Sequence, residues 1–210
     1  MEKNIILKKI YDLKQQYFRQ VFVNCKFNQL EYHLMLLTKD CEAKLNIIKL
    51  LALWRKKHEQ WFPSRFEITL TGTKSWLLNK VIKQPDRLLF MIEVNRQFVG
   101  HIGLFRFDFE NLSCEIDNIV RGEKIYPGII ENAINHMMGW AKKELKLKFF
   151  TLQTSSDNLR ALRLYNRLGF KETKRIPLVL ISENGENKWI PAAKDFQGQV
   201  KRYDVFMQKK

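Results

Sequence analysis

The chain has 210 residues, which is most simply one domain, long enough to bury a sizeable hydrophobic core. Its proportions of 45% hydrophobic and 28% charged residues are typical of a soluble globular protein. The net charge of +15 indicates an anionic partner, such as a phosphate-rich small molecule, and argues against a cationic ligand.

Several other classes of protein are excluded by simple patterns. No apolar segment approaches the ~20 residues that span a bilayer, and the apolar run near the N-terminus is too short for a secretory signal. Cys25, Cys41 and Cys114 are widely spaced and odd in number, which indicates reduced thiols in a cytoplasmic protein. The histidines and cysteines lack metal-ligand spacing, so we expect no metal. Because basic residues are spread along the chain without a dense run, we expect no nucleic-acid partner.

The N-terminal half begins with apolar residues at helical spacing, which predict a helix over residues 4–23. We therefore expect a helical extension over residues 1–28 and a main domain over residues 29–210. Hydrophobic patterns predict three further elements in this half: a strand at 30–37, a helix at 43–62 and a helix at 75–81.

The C-terminal half alternates strands and helices. Residues 88–94 and 98–107 predict a hairpin, and 113–120 a further strand. Residues 128–145 predict a helix with a broad apolar side, followed by a strand at 149–153. This order of elements predicts a mixed sheet in an α/β (α+β) fold.

The most informative segment follows that last strand and reads LQTSSDNLRALRLYNRLGFK. Its polar turn supplies cap-forming side chains, ending at Asn158, where a helix would start. Ala161 and Tyr165 then share one helical face, and Gly169 stands where a helix needs a left-handed residue to end. A polar cap together with a tyrosine two turns into the helix suits a site that holds an amide-bearing ligand and donates a phenolic proton.

The string N-x-x-A-x-x-L-Y-x-x-x-G-F resembles the late acetyl-CoA-binding motif of the GNAT acetyltransferase superfamily. Its six positions are Asn158, Ala161, Leu164, Tyr165, Gly169 and Phe170. The resemblance implies a single domain whose central sheet is splayed at a cleft for acetyl-CoA, the co-substrate. It also implies that Asn158 and Ala161 lie at the pantetheine arm, and that Tyr165 protonates the departing CoA thiolate.

A second cofactor segment is predicted between the strand at 113–120 and the helix at 128–145. Glycines and a helix N-terminus with free N–H groups can bind phosphate, and Arg121 adds positive charge. The loop resembles the Q/R-x-x-G-x-G/A motif of the same superfamily but departs from its spacing, which leaves open which amides face the pyrophosphate. The resemblance also implies that the end of the strand pairs with pantetheine and holds the thioester carbonyl. The cofactor residues predicted here are Asn118, Ile119, Val120, Arg121, Gly122, Pro127, Gly128 and Ile129.

A general base must take a proton from the attacking ammonium. Glu115 and Asp117 alternate onto one face of their strand, and either could act directly or through water, or form surface ion pairs instead. His101 on the adjacent strand is an alternative base, although a lone histidine in an apolar strand is more often structural. Cys114 falls on the opposite face and carries little weight as an acyl carrier.

The acceptor site is predicted at residues 54–66. Trp54, Trp61 and Phe62 could stack on a base or sugar, while Arg55 and Arg65 could bind phosphates; a core helix with a basic face is the alternative. We also place His101 in this pocket. The tail at 176–206, which contains Gly185, Trp189 and Pro191, is expected to extend it.

These residues are similar to those of bacterial acetyltransferases that modify nucleotide-linked amino sugars in flagellar and surface-polysaccharide pathways. The resemblance implies a small anionic amine acceptor, a nucleotide sugar. Two alternatives stay open: an acetyltransferase for a protein N-terminus or lysine, and a non-catalytic acetyl-CoA-binding module. The sequence also leaves open whether the protein forms a homodimer.

Overall fold

The computed structural model describes residues 2–183 and 186–210, in which one large sheet carries helices on its faces. The α-helices are α1 Glu2–Gln15, α2 Leu45–Lys57, α3 Leu70–Trp76, α4 Ile129–Leu145 and α5 Leu159–Arg167. The strands are β1 Phe22–Phe27, β2 Leu30–Leu36, β3 Ser64–Arg65, β4 Leu88–Val94, β5 Gln97–Asp108, β6 Ser113–Arg121, β7 Phe149–Ser155, β8 Lys171–Glu183, β9 Glu186–Pro191 and β10 Arg202–Lys209. Short 3-10 turns at Lys39–Ala43 and Glu59–Trp61 and a π-helical turn at Leu77–Ile82 complete the connections.

The sheet has the order β1-β2-β4-β5-β6-β7-β10-β8-β9-β3. Neighbouring strands are antiparallel except β6 and β7, which are parallel. These two pair only where residues 113–115 face residues 149–151, and their remaining residues diverge. This divergence confirms the predicted mixed sheet that splays open at one point, and it creates a cleft with backbone on both sides.

The core lies on both faces of the sheet, as the alternation of β4 shows. Phe90 and Ile92 pack with α1 and α4 on one face, whereas Leu89 and Met91 pack with α2 and the π-helical turn on the other. Every residue of β4 is buried, so its sequence, apolar except for Glu93, reflects a central strand covered on both sides. The site therefore sits on a framework that is packed from two directions.

The N-terminal prediction is wrong beyond Gln15, where α1 ends. Residues predicted to continue the helix instead enter β1, which pairs antiparallel with β2 through a tight turn at Asn28, whose φ is 56°. Tyr17 and Val21 fit a helical stripe by spacing alone, which is why the strand was missed. The boundary predicted at residue 28 falls inside this turn, and the division of the chain there stays a prediction.

The other predicted elements form, with shifted ends. The helix predicted at 43–62 stops at Lys57 and gives way to an irregular segment that reaches β3. The helix predicted at 75–81 begins earlier, as α3, and ends as the π-helical turn. No helix in the described part of the chain is long and apolar enough to cross a membrane.

Candidate active site

A cleft of about 780 Å³ opens where β6 and β7 diverge. One side is formed by the end of β6, the end of β7 and the start of α5, the segments predicted to hold the cofactor. The other side is formed by the segment after α2, by α3 and by strands β8, β9 and β10. The two sides meet at the centre of the sheet and are called the cofactor side and the acceptor side, after the roles that the sequence predicts for them.

A β-bulge shapes the cofactor side. His101 of β5 faces Val120 of β6, while Gly103 faces Asp117, so β6 carries one residue more than β5 between these pairs. Asn118 takes up the extra residue by adopting a left-handed backbone with φ 48°. The predicted cofactor residues Asn118, Ile119, Val120 and Arg121 all line the cleft here.

The loop after β6 is held by its own arginine and by the end of α2. Arg121 donates from Nε to the Glu123 carbonyl at 3.1 Å and from an Nη to the Lys124 carbonyl at 2.6 Å. Lys57 donates to the Gly122 carbonyl at 2.6 Å, and His58 donates to the Arg121 carbonyl at 2.9 Å. Cationic side chains therefore occupy the loop's carbonyls, which leaves a positive environment at the mouth of the cleft.

The predicted residues beyond Arg121 do not line the cleft itself. Gly122 lies against the Trp54 indole, and Ile129 is buried in the core. Pro127 and Gly128 precede α4, and Gly128 has φ 89°, with the Phe27 ring so close that an added Cβ would lie 2.8 Å from Cζ. Pro127 and Gly128 are exposed, and the cofactor role of this stretch stays a prediction.

The late motif forms a capped helix, as its sequence predicts. The Asn158 side-chain oxygen accepts from the Ala161 N–H at 3.2 Å, which leaves the Asn158 amide as a donor at the cleft wall. Tyr165 also lines the cleft and is 6% exposed. Burial raises the pKa of Tyr165 well above its usual range, so the phenol keeps its proton at neutral pH. Ala161 does not line the cleft and packs beside the core.

The two carboxylates of β6 both line the cleft but differ in their partners. Glu115 accepts from Arg106 at 2.8 Å, yet burial raises the pKa of its carboxyl above the ordinary value. Asp117 is bound by Arg87 and by the Asn118 amide, and its pKa is raised, chiefly by burial. The free oxygen of Asp117 is buried over Gly103, where an added Cβ would overlap it, and has no partner among the described residues. The two side chains are about equally exposed, but Asp117 has one oxygen bound by two neighbours and the other buried, whereas Glu115 is bound by Arg106 alone.

His101 and Cys114 are both poor proton acceptors here. Burial lowers the pKa of His101 to about 4, and its Nδ1 lies 2.7 Å from the Asn118 carbonyl. Burial raises the pKa of the Cys114 thiol well above its ordinary value, and the side chain faces the core. Neither group is ready to take a proton from an ammonium at neutral pH.

The acceptor side contains three of the predicted residues: Arg55, Trp61 and Phe62. The Arg55 guanidinium lies 3.5 Å from the Phe62 ring centroid and donates to the Ser64 carbonyl at 2.8 Å. Burial lowers the pKa of Arg55 to about 10, which still leaves it charged at neutral pH. His101 also lines the cleft, close to its centre on β5.

Two predicted acceptor residues are corrected. Trp54 is fully buried in the core between α2 and the sheet, where its Nε1 donates to Glu123 at 3.1 Å, so it cannot stack on a substrate. Arg65 is exposed on β3 and does not line the cleft. Alternation along β3 explains the second error, because Ser64 faces the cleft and its neighbour faces away.

Several cleft residues were not predicted. Arg202 of β10 is bound by Asp157 at 3.1 Å and by the Gln60 carbonyl at 3.2 Å, and lies 4.8 Å from the Trp189 ring centroid. Trp189 and Pro191 of the tail line the cleft as expected, whereas Gly185 lies outside the described residues. Other unpredicted members include the charged residues Arg87, Arg106 and Asp204. They come from distant segments, and no local pattern in the sequence marks them.

The site is built from side chains and backbone. Within residues 2–183 and 186–210, no group of three or more His, Cys, Asp or Glu side chains could hold a metal ion. A buried phenol, a partly enclosed carboxylate and a bulged strand instead surround one cleft. That arrangement can orient a thioester, accept a proton from an amine and return one to a thiolate.

Comparison with known proteins assigns the family. The family model described as an acetyltransferase (GNAT) domain matches residues 44–171, which is more than half of the chain. No curated protein sequence matches the chain.

Solved structures share the fold at low sequence identity. A spermidine N-acetyltransferase from Vibrio cholerae, in complex with CoA and spermine, has a TM-score of 0.63 at 17% identity, covering 87% of this chain and 96% of that one. A ribosomal-protein-S5-alanine acetyltransferase from Vibrio fischeri has a TM-score of 0.61 at 18% identity, covering 89% and 96%. A ribosomal L7/L12 alpha-N-protein acetyltransferase in complex with coenzyme A has a TM-score of 0.62 at 13% identity, covering 89% and 97%.

The family match includes β6, the loop after it and the late motif, the segments that form the cofactor side of the cleft. The chain belongs to the GNAT acetyltransferase family and is an N-acetyltransferase that uses acetyl-CoA as its co-substrate.

Proposed function

We propose that the acceptor is the primary amine of a small anionic molecule, a nucleotide-linked amino sugar used in cytoplasmic steps of surface-polysaccharide or flagellar glycan synthesis. The observation that carries this proposal is the acceptor side of the cleft, where flat rings and arginines lie together. Trp61 and Phe62 accompany Arg55, and Trp189 accompanies Arg202. A planar base calls for a stacking surface and a diphosphate calls for cations, so this combination suits a nucleotide.

We infer that transfer occurs by direct attack within a ternary complex, with Glu115 as the general base. Its raised pKa brings the carboxyl closer to neutral pH, where a base is most effective, and Arg106 keeps it ionised. Asp117 is less suited, because Arg87 and Asn118 already occupy one of its oxygens and the other is buried. Tyr165 then supplies the proton for the CoA thiolate.

The cofactor would be held along the diverging edge of β6. The backbone of Asn118–Val120 would pair with pantetheine, and the Asn158 amide would donate to the same arm from the start of α5. The pyrophosphate would lie at Arg121 and the first turn of α4, where helical N–H groups lack acceptors within the helix. Gly122, Pro127, Gly128 and Ile129 would supply the backbone of this loop.

The acceptor is tested by a panel of amines with acetyl-CoA, read as a mass gain of one acetyl group. The panel contains UDP-, CMP- and dTDP-linked amino sugars, the corresponding free amino sugars, spermidine and short peptides with a free N-terminus. We expect acetylation of a nucleotide-linked sugar in clear preference to the others. Equal or better acetylation of a free sugar, a peptide or spermidine would overturn the proposal and assign the enzyme to that acceptor class.

Two arginines provide a matched pair of variants for the same panel. Arg55→Ala should raise the acceptor's apparent KM roughly ten- to a hundredfold, the scale of a charge-assisted hydrogen bond, and leave that of acetyl-CoA unchanged. Arg65→Ala removes the same charge from an exposed position outside the cleft and should leave both values unchanged. Equal effects of the two substitutions would mean that only the overall charge matters.

A further inference from the structure

The bulge in β6 is braced by a side chain from the neighbouring strand. His101 of β5 is 4% exposed, and its Nδ1 lies 2.7 Å from the carbonyl oxygen of Asn118, the residue with left-handed φ. A carbonyl oxygen only accepts hydrogen bonds, so Nδ1 must carry the hydrogen. The contact therefore identifies the tautomer of the imidazole as well as its partner.

The surroundings keep this imidazole neutral. Burial lowers the pKa of His101 to about 4, and His58 at the end of α2 lowers it further. The Trp54 ring, 6.0 Å from the imidazole centroid, closes another side. The nearest carboxylate on the facing strand, Asp117, is bound by Arg87. With Nδ1 protonated and the ring neutral, Nε2 holds a lone pair and cannot donate to a ligand.

The peptide that carries the bonded carbonyl also carries an N–H. In a trans peptide the Asn118 C=O and the Ile119 N–H lie in one plane and point in opposite directions. With the carbonyl turned to His101, the Ile119 N–H points away from that side chain, and Ile119 lines the cleft. Fixing one end of this peptide plane fixes the direction of the other.

We propose that His101 is a positioning residue for acyl transfer: by holding the Asn118 carbonyl, it directs the Ile119 N–H at the thioester oxygen of bound acetyl-CoA. As the amine nitrogen forms its bond to the acetyl carbon, the carbonyl electron pair moves to oxygen, and the N–H stabilises that charge. The C–S bond then breaks as the carbonyl re-forms, the proton released by the nitrogen passes to Glu115, and the CoA sulfur takes a proton from Tyr165. His101 touches neither the substrate nor the reacting atoms.

This role differs from that of a general base or a packing residue, and both alternatives can be tested. A base would have to gain and lose a proton near neutral pH. A packing residue would affect stability without changing the electronic state of the bound thioester. A positioning residue changes the polarisation of the thioester carbonyl, and a neutral amide at the same position should replace it.

The first measurement is the tautomer. In protein labelled with ¹⁵N-histidine, we expect His101 to show the Nδ1–H neutral form from pH 5.5 to 8, with no titration in that range. An Nε2–H tautomer, or a titration near the ordinary histidine pKa of ~6.5, would overturn the proposal. The chain has four histidines, so the signals of His33, His58 and His136 are each assigned through a substitution of that residue. His33 on β2, whose ring packs against Phe22, is outside the cleft.

The second measurement is the infrared band of the thioester carbonyl in ¹³C-acetyl-CoA bound to the enzyme, with no acceptor present. In the native protein we expect a shift to lower frequency than in water, because the N–H polarises the bond. His101→Leu should lose this shift, whereas His101→Asn, nearly equal in size and with an amide hydrogen near the Nδ1 position, should retain it. His33→Leu is the control for losing a histidine.

The outcomes separate this proposal from that of the acceptor. An unchanged shift in His101→Leu, or a shift lost equally in His101→Asn, would overturn the positioning role. If His101→Leu fails to fold, the tautomer in the native protein and the thioester infrared band in His101→Asn still test the positioning role. Because no acceptor enters either measurement, a negative result with nucleotide sugars would leave this inference intact.

Discussion

Tyr165 is the residue proposed to protonate the departing thiolate, and its burial determines what it can do in that role. It lines the cleft, and burial alone raises the pKa of its phenol. A phenol that stays protonated at neutral pH can donate during the reaction, but it contributes little to binding a cofactor that has not yet reacted.

Tyr165→Phe should therefore lower kcat roughly ten- to a thousandfold, within and below the usual range for acid–base groups, and leave acetyl-CoA affinity nearly unchanged. Steady-state kinetics and calorimetry measure the two quantities. Tyr32→Phe is the matched control, since Tyr32 is also a buried tyrosine but donates to Asn132 at 2.6 Å, away from the cleft. Full turnover in Tyr165→Phe would mean that water supplies the proton.

Glu115 determines the expected pH dependence. A base acts in its ionised form, and the pKa of this carboxyl is raised by burial, so kcat/KM should fall as pH drops through a value above the ordinary glutamate range. Arg106 lowers the same pKa, so Arg106→Gln should move the decrease in kcat/KM, the acid limb of the pH profile, to higher pH. Glu115→Gln should abolish this decrease at low pH. It should also lower kcat/KM at least about a hundredfold, on the order expected for a general base.

These profiles are measured with the acceptor that the amine panel identifies. A limb that stays in place when Arg106 is replaced would assign the base elsewhere. An acid limb that survives Glu115→Gln would do the same.

The loop after β6 is an element whose shape depends on a helix far away in the sequence. Trp54 of α2 packs directly under Gly122, so that a Cβ added at the glycine would overlap the indole. The neighbouring Lys57 and His58 bind the carbonyls of the same loop. The position of α2 thus sets the position of the predicted pyrophosphate loop.

Gly122→Ala should cost about 1–3 kcal/mol of unfolding free energy, the usual scale of overpacking, and should weaken CoA binding as the loop moves. Gly139→Ala is the matched control, because nothing lies within 4 Å of its added Cβ on α4, and alanine should stabilise that helix by about 0.5–1 kcal/mol. Urea unfolding and calorimetry with CoA test both. Equal stability of the two variants would contradict the close packing of Trp54.

At the scale of the whole molecule, α1 packs on the framework through Ile6 and Ile10, and a buried lysine adds polar contacts. Lys14 is 4% exposed and donates to the carbonyls of Val81 at 2.9 Å, Ile82 at 3.4 Å and Gln84 at 2.5 Å. Burial lowers the pKa of Lys14 from 10.5 to about 8. Between these two pH values the unfolded chain binds a proton that the folded chain has released, so this residue makes stability rise with pH.

The free energy of unfolding of the native protein, minus that of Lys14→Met, should therefore increase from pH 8 to 10.5, on the order of 1–3 kcal/mol. Cys25 and Cys41, whose pKa values burial raises to about 11, act in the opposite direction, but they are present in both proteins and cancel. Lys8→Met, on the exposed side of α1, is the control for losing a lysine. A difference that falls with pH would show that Lys14 is stabilised in its charged form.

The sequence by itself determined the features that depend on neighbours along the chain. The cap at Asn158, the shared face of Ala161 and Tyr165, and the glycine that ends the helix follow from local hydrogen bonding and helical periodicity. The same reasoning gave the central strands and α4, and hence the mixed sheet of the fold class, whereas the splay of that sheet was implied by the family resemblance. Local signals suffice there because each element is specified within one or two turns of its own residues.

Only the tertiary structure decided which faces meet. Trp54 and Trp61 look alike in sequence, yet α2 places the first under Gly122, and the 3-10 turn after α2 places the second in the cleft. Arg87, just before β4, reaches Asp117 of β6 across the intervening β5, and Arg202 of β10 reaches Asp157 just after the neighbouring β7. Both contacts depend on the order of strands that are distant in sequence. Periodicity assigns a side chain to a face of its element, but the partner of that face is set by packing across the whole chain.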